Sequence, residues 1–115
     1  MNHKFRLRKS AEFERVRRSG KSFAHPLIVL VVLENGLPNV RIGVTAGRSL
    51  GGAVQRNRAK RLMRACMAPL LDQIPAGIDL VWIARKPLHE ATFLDLQGAM
   101  ISLLQRAGLL NNHNG

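Results

Sequence analysis

The residues whose types and spacing could do chemistry lie close together, in a basic segment that spans residues 51–64 and reads GGAVQRNRAKRLMR. A helical step of about 100° per residue separates its side chains into two arcs. The apolar arc would anchor the helix on a sheet. The other arc would then present a rigid row of cations that could bind successive phosphates. Arg58 falls on the boundary between the arcs. The cationic arc contains Arg56, Asn57, Lys60, Arg61 and Arg64, and the apolar arc contains Ala59, Leu62, Met63 and Cys66.

The loop before this helix adds to the same chemistry. Arg48 supplies a further donor, and Gly51 and Gly52 would let the backbone approach a phosphate closely, at a helix N-terminus that favours an anion. The alternative interpretation is an ordinary solvated helix face. We favour an external anion because no acid lies between Glu34 and Asp72, whereas a solvated face normally mixes charges of both signs.

The composition supports a polyanionic partner and excludes several classes of protein. With 115 residues, 46% of them hydrophobic, the chain predicts one folded domain, residues 1–115, with a core of about 4–107. Lysine and arginine total 18 against 7 acids, a net charge of +11, and the excess lies in residues 1–25 and 41–64. The single cysteine excludes an internal disulfide, and the longest apolar run, residues 27–33, is too short to cross a membrane. We therefore expect a cytoplasmic protein with a nucleic-acid partner and no membrane partner.

The remaining polar residues predict no catalytic centre in the protein itself. The seven acids and four histidines are scattered along the chain, without the spacing of metal ligands or of an acid–base pair. No phosphate-binding loop motif is present, and no small-molecule substrate is expected. Cys66 and Trp82 both lie in apolar surroundings and are interpreted as core residues. The sequence thus indicates a binding protein rather than a nuclease.

Hydrophobic periodicity and turn signals predict the elements that position this chemistry. We expect the order α-β-β-β-α-β-α in one α+β domain. Ser10 is the predicted N-cap of the first helix, and Gly20 is predicted to end it. The second and third strands are expected to pair as an antiparallel hairpin. The predicted helices are 11–18, 53–67 and a third that opens with a capping box at 92–95 and stops at Gly108; the predicted strands are 21–25, 27–33, 40–45 and 79–85, and residues 111–115 form a polar tail.

The basic segment also resembles a known family. Residues 53–61, AVQRNRAKR, are similar to the signature of the bacterial ribonuclease P protein subunit. The resemblance covers about residues 4–107. Supporting matches are Arg6-Leu7-Arg8 leading to Glu12-Phe13, then Arg41-Ile42-Gly43, the strand Asp79 to Ala84, and Arg85-Lys86-Pro87 after it.

The resemblance implies a fold and a function. The fold would be an α+β sandwich with a mixed sheet and a left-handed β-α-β crossover, against the usual right-handed preference. The protein would bind the catalytic RNA of ribonuclease P and hold the 5′ leader of precursor tRNA in a cleft between the sheet and the N-terminal helix. The RNA would remove the leader by Mg²⁺-dependent hydrolysis. The implied contacts with the catalytic RNA are Arg48, Arg56, Asn57, Arg58, Lys60, Arg61 and Arg64.

The expected leader site departs from the family pattern. Phe13 matches an aromatic position, but Arg17 stands where a second aromatic is common and Val31 where a third is expected. Ser49 replaces the second of two basic residues before the glycines. We therefore expect Phe13, Arg17 and Val31 to contact the leader, with more reliance on charge and less on aromatic rings. The alternative functions are a ribosomal or RNA-chaperone protein that binds structured RNA, and an adaptor that docks an acidic protein.

Overall fold

The computed structural model describes residues 5–111, which form three α-helices and four strands. The observed order confirms the predicted α-β-β-β-α-β-α arrangement of one α+β domain. The polar tail is predicted at residues 111–115, and residues 112–115 of it lie outside the described residues. The elements are α1 (Ser10–Ser19), β1 (Lys21–Ala24), β2 (Ile28–Glu34), β3 (Val40–Ala46), α2 (Ala53–Met67), β4 (Ile78–Ala84) and α3 (Phe93–Arg106), with 3₁₀ turns at Arg48–Leu50, Ala68–Gln73 and Lys86–Glu90.

The four strands form one mixed sheet in the order β1-β2-β4-β3. β2 pairs with β1 and with β4 in antiparallel fashion, whereas β3 and β4 are parallel and are joined through α2. The predicted hairpin of β2 with β3 is therefore wrong, because β4 lies between them. β4 is an inner strand of the sheet. Its residues Leu80, Val81 and Trp82 are fully buried, and they need cover on both faces of the sheet. The left hand of the crossover stays a prediction.

The sheet is covered on both faces. α2 and α3 pack on one face, where Leu30, Leu80 and Trp82 meet Met63 and Leu103 in the main core. α1 packs on the other face, where a smaller apolar cluster contains Leu7, Val16, Val31 and Val81, with Phe13 against it. The buried position of Trp82 confirms that it is a core residue.

The ends of the helices follow local signals with one exception. α1 begins one residue earlier than expected, so that its N-cap is Lys9 and not Ser10. The reason is that the Glu12 carboxylate reaches back and accepts the Lys9 backbone N–H at 3.3 Å. The predicted capping box of α3 is confirmed: Thr92 Oγ1 accepts from the Asp95 backbone N–H at 3.0 Å, and an Asp95 oxygen accepts from the Thr92 N–H at 3.3 Å.

Candidate nucleic-acid interface

α2 separates apolar and cationic side chains as the sequence predicts. Its buried residues are Ala59, Met63, Cys66 and Met67, which face the core. Burial raises the pKa of the Cys66 thiol to about 11, so this residue is an inert core group and not a nucleophile. The cations lie on the uncovered side: Arg56, Lys60 and Arg64 are half-buried, and Asn57, Arg58 and Arg61 are exposed.

The cations of α2 have no acidic partner within residues 5–111. The four ion pairs of that range connect Arg15, Arg18 and Arg41 with Glu12, Glu14 and Asp79, and none involves α2. Like charges four residues apart on a helix repel one another. The helix therefore presents a row of positive charges that nothing in the described chain neutralises.

A groove runs between α1 and α2 across β3, and we call it the α1–α2 groove. Two adjoining depressions form it, and they share Arg8, Phe13, Val44 and Lys60. The N-terminal segment lies along β3, where the Leu7 backbone N–H donates to the Ile42 carbonyl oxygen at 2.9 Å. The other residues that line the groove are Arg6, Leu7, Ser10, Glu14, Arg17, Thr45, Ala46 and Arg64.

The electrostatics of the α1–α2 groove favour an anion. Partial burial lowers the pKa of Arg64, and the nearby positive charge of Arg6 lowers it further. Arg8, Arg17 and Lys60 add three further cations, so that Glu14 is the one acid among the lining residues that the structure describes. A bound phosphate would relieve the repulsion between these cations.

The structure distributes the predicted contact residues over more than one surface. Phe13 and Arg17 both line the α1–α2 groove. Val31 does not line the groove, because it is buried beneath α1. It lies in the apolar cluster with Val16 and Val81 and is only 2% exposed. The structure therefore leaves Val31 no open surface on which a leader could rest.

The predicted contacts with the catalytic RNA also divide. Lys60 and Arg64 face the α1–α2 groove, whereas Arg58 lines a depression on the opposite flank of α2, next to Leu88 and His89. Arg48 is exposed on the 3₁₀ turn before the helix. Arg61 and Asn57 are exposed between the two flanks.

Sequence reasoning did not assign Arg6 and Arg8 to the site. Both line the α1–α2 groove because the N-terminal segment forms a parallel bridge with Ile42 of β3. The available signal was the excess of positive charge in residues 1–25, which has few acids to balance it. The pairing of this segment with an edge strand left no local pattern in the sequence.

A buried carboxylate fixes α1 against the sheet. Asp79 accepts hydrogen bonds from Arg41 Nε and Nη2 at 2.9 and 2.8 Å, from Arg15 Nη2 at 2.7 Å and from Asn35 Nδ2 at 2.8 Å. Arg41 Nη1 also donates to Glu12 Oε2 at 2.6 Å. The hydrogen bond with Asp79 is the main cause of the raised pKa of Arg41. We call Glu12, Arg15, Asn35, Arg41 and Asp79 the Asp79 network.

The described residues do not form a metal centre. No three of the histidine, cysteine, aspartate and glutamate residues within 5–111 are grouped so that they could hold a metal ion. The donor set of residues 5–111 therefore does not fit Mg²⁺. In the same range, no helix combines the length and the apolar character that a bilayer crossing requires.

The fold and the site together define a small α+β domain with an unneutralised cationic helix beside a cationic groove. The chain belongs to the ribonuclease P protein family: the family model described as Ribonuclease P matches residues 1–108. It is 40% identical over 110 residues to the ribonuclease P protein component of Bacillus cereus (strain AH187), covering 95% of this chain and 96% of the relative. These matches confirm the resemblance seen in the sequence.

Solved structures agree with this assignment. The RNase P protein of Staphylococcus aureus superposes with a TM-score of 0.84 at 31% identity, covering 93% of this chain and 98% of that chain. The RNase P protein from Thermotoga maritima superposes with a TM-score of 0.79 at 31% identity, covering 88% and 96%. The mixed α+β fold is thus shared with these proteins.

Proposed function

We propose that this chain is the RNA-binding protein subunit of a bacterial ribonuclease P, which removes the 5′ leader from precursor tRNA in the cytoplasm. As a family member the chain is a component of that endoribonuclease. The observation that carries the RNA-binding role is the row of α2 cations, Arg56, Lys60, Arg61 and Arg64, without an acidic partner in the described chain. A polyanion is the partner that such a row fits.

The two surfaces divide the task in this proposal. The uncovered side of α2 binds the catalytic RNA, and Arg48 extends that contact. The contact residues on the helix are Arg56, Asn57, Arg58, Lys60, Arg61 and Arg64, of which Lys60 and Arg64 also border the groove. The α1–α2 groove holds the single-stranded leader, with Phe13 as the aromatic contact and Arg17 as the cationic one. A groove that combines an aromatic ring with a cationic track suits single-stranded RNA.

The hydrolytic chemistry belongs to the RNA in this proposal. Mg²⁺ ions held by the catalytic RNA would supply the activated water and the charge stabilisation for phosphodiester hydrolysis. The protein residues bind and orient the substrate. The purified protein alone is therefore expected to cleave nothing, and it should promote 5′ processing once the cognate RNA and Mg²⁺ are added. Site-correct, metal-dependent cleavage by protein free of RNA would contradict this.

The role of α2 is tested by single substitutions. Arg56→Ala, Lys60→Ala and Arg64→Ala should each weaken binding to the catalytic RNA and reduce the magnitude of its salt slope by about one. Asn57→Ala should leave that slope unchanged, because an amide carries no charge. Arg106→Ala is the matched control, since it removes the same charge from α3. If the three α2 variants bind like the control, the assignment of α2 is wrong.

The leader site is tested by comparing precursor with mature tRNA in the assembled holoenzyme. Arg17→Ala should weaken binding of precursor tRNA and spare mature tRNA, and its effect should shrink at high salt. Phe13→Ala should show the same discrimination with weaker salt dependence. Arg18→Ala is the control, because Arg18 carries the same charge on the same helix but does not line the groove. Equal losses for both tRNAs would place the leader elsewhere.

The copurifying RNA separates this proposal from its alternatives. We expect one species of catalytic RNA to accompany the protein from its own cells. Ribosomal RNA in its place would indicate a ribosomal or RNA-chaperone protein. An acidic protein without RNA would indicate an adaptor.

A further inference from the structure

Gly43 is the middle residue of β3, and its backbone conformation does not explain why it is a glycine. The glycines with positive φ among the described residues are Gly36, Gly51, Gly77 and Gly108, and Gly43 is not one of them. A glycine inside a strand weakens the strand and often marks the close approach of another group. The reason for Gly43 must therefore lie in what packs against it.

The group that approaches Gly43 is the ring of Phe13. A Cβ atom at position 43 would lie 2.6 Å from both Cε1 and Cζ of that ring, and 3.3 Å from Leu7 Cβ. The tip of the ring thus occupies the space that a side chain would fill. The same ring lines the α1–α2 groove, so that Gly43 forms the surface against which it rests.

The Asp79 network holds α1 in place on both sides of Phe13. Arg41 binds Glu12, the residue before Phe13, at 2.6 Å, and Asp79 binds Arg15, two residues after it, at 2.7 Å. Because the helix is attached at both points, a side chain at position 43 would displace the ring rather than the helix.

We propose that Gly43 is a positioning residue for substrate binding, because it sets the depth at which the Phe13 ring lies and hence the ring surface offered to a base of single-stranded RNA. The inference rests on the proposed function of the groove. It gives separate tasks to two residues of the Arg41-Ile42-Gly43 motif: Arg41 attaches α1 to the sheet, and Gly43 seats the ring.

The first test is Gly43→Ala in the reconstituted holoenzyme. We expect about fivefold weaker binding of precursor tRNA, the low end of a lost base-stacking contact, with unchanged binding of mature tRNA and of the catalytic RNA. Gly98→Ala is the matched control, because a Cβ there meets nothing within 4 Å. The control should change none of the three affinities. Equal loss of all three in Gly43→Ala would indicate a purely structural role and overturn the inference.

The second test is a double-mutant cycle with Phe13→Leu, which removes the ring atoms that a Cβ would meet. If Gly43 acts through the ring, Gly43→Ala adds no further loss of precursor discrimination in this background. Should Gly43→Ala alone fail to fold, the double variant should fold, as circular dichroism would show. Additive losses, or a double variant that stays unfolded, would overturn the inference.

The two proposals fail in different ways. If Phe13→Ala leaves the discrimination between precursor and mature tRNA unchanged, the α1–α2 groove is not the leader site and the proposed function of the groove fails. If Phe13→Ala is defective but Gly43→Ala behaves like the wild type, only the positioning role of Gly43 fails.

Discussion

Replacing Asp79 by asparagine should be among the most damaging isosteric changes in this protein. Asp79 is fully buried and accepts four hydrogen bonds, three of them from the guanidinium groups of Arg15 and Arg41. Removing one partner of a buried ion pair costs about 3–5 kcal/mol. The side chains of Arg41 and Arg15 are 20% and 44% exposed, so water can solvate part of the charge that is left. We therefore expect the low end, about 3 kcal/mol.

The assay is thermal and urea denaturation of the free protein followed by circular dichroism. A loss of about 3 kcal/mol should lower Tm by roughly 12 °C in a domain of this size. Asp72→Asn is the matched control, because Asp72 is exposed and makes no ion pair within residues 5–111. The control should stay within about 0.5 kcal/mol of the wild type. If Asp79→Asn unfolds no more easily than the control, the Asp79 network does not hold α1.

Three further predictions concern stability and reactivity. Burial acts to raise the pKa of Glu12, but the backbone N–H donors and the charge of Arg41 outweigh burial, so the pKa lies below its ordinary value of 4.5. The stability that the Glu12 carboxylate contributes is therefore present above pH 4.5, and it is lost as the pH falls through the lowered pKa. Glu12→Gln should accordingly flatten the acid limb of the free energy of unfolding, measured by urea titrations at several pH values. Because the pKa of Cys66 is about 11 and the thiol is buried, iodoacetamide should label it only after denaturation, as mass spectrometry would show. Gly20→Ala should lower the free energy of unfolding by about 2 kcal/mol, because a Cβ there would lie 2.6–2.8 Å from two carbonyl oxygens and a valine methyl. Gly98→Ala is the control and should not destabilise the protein, because a Cβ there meets nothing within 4 Å. Equal Tm values for the two variants would refute this prediction.

The helices could be predicted from the sequence because their signals are local. α2 runs from Ala53 to Met67, the range that the glycines before it and its apolar arc indicate. The capping box at Thr92 marks the start of α3 in the same way. The positions of the unpaired cations followed from these boundaries, since a helical step fixes which side chains share an arc.

The strand pairing could not be predicted, because it depends on contacts between distant residues. β2 and β4 both read as apolar runs, and nothing local says that β4 separates β2 from β3. Asp79 and Arg41 are 38 positions apart, so their hydrogen bonds left no spacing pattern. The burial of Val31 has the same origin: alternation shows that Val31 and Ile28 face opposite sides of the strand, but not which side α1 covers.

The central position of β4 sets the order in which the sheet can close as the chain is made. β1 and β2 can pair once residue 34 is available, but β3 has no strand beside it until residues 78–84 follow. The N-terminal half therefore leaves the ribosome before the main pairing partner of β3 has been made. Long-range pairing of this kind folds slowly and exposes apolar surface in the meantime. Residues 41–64 carry seven cations and no acid, and charge of a single sign opposes the association of such incomplete chains.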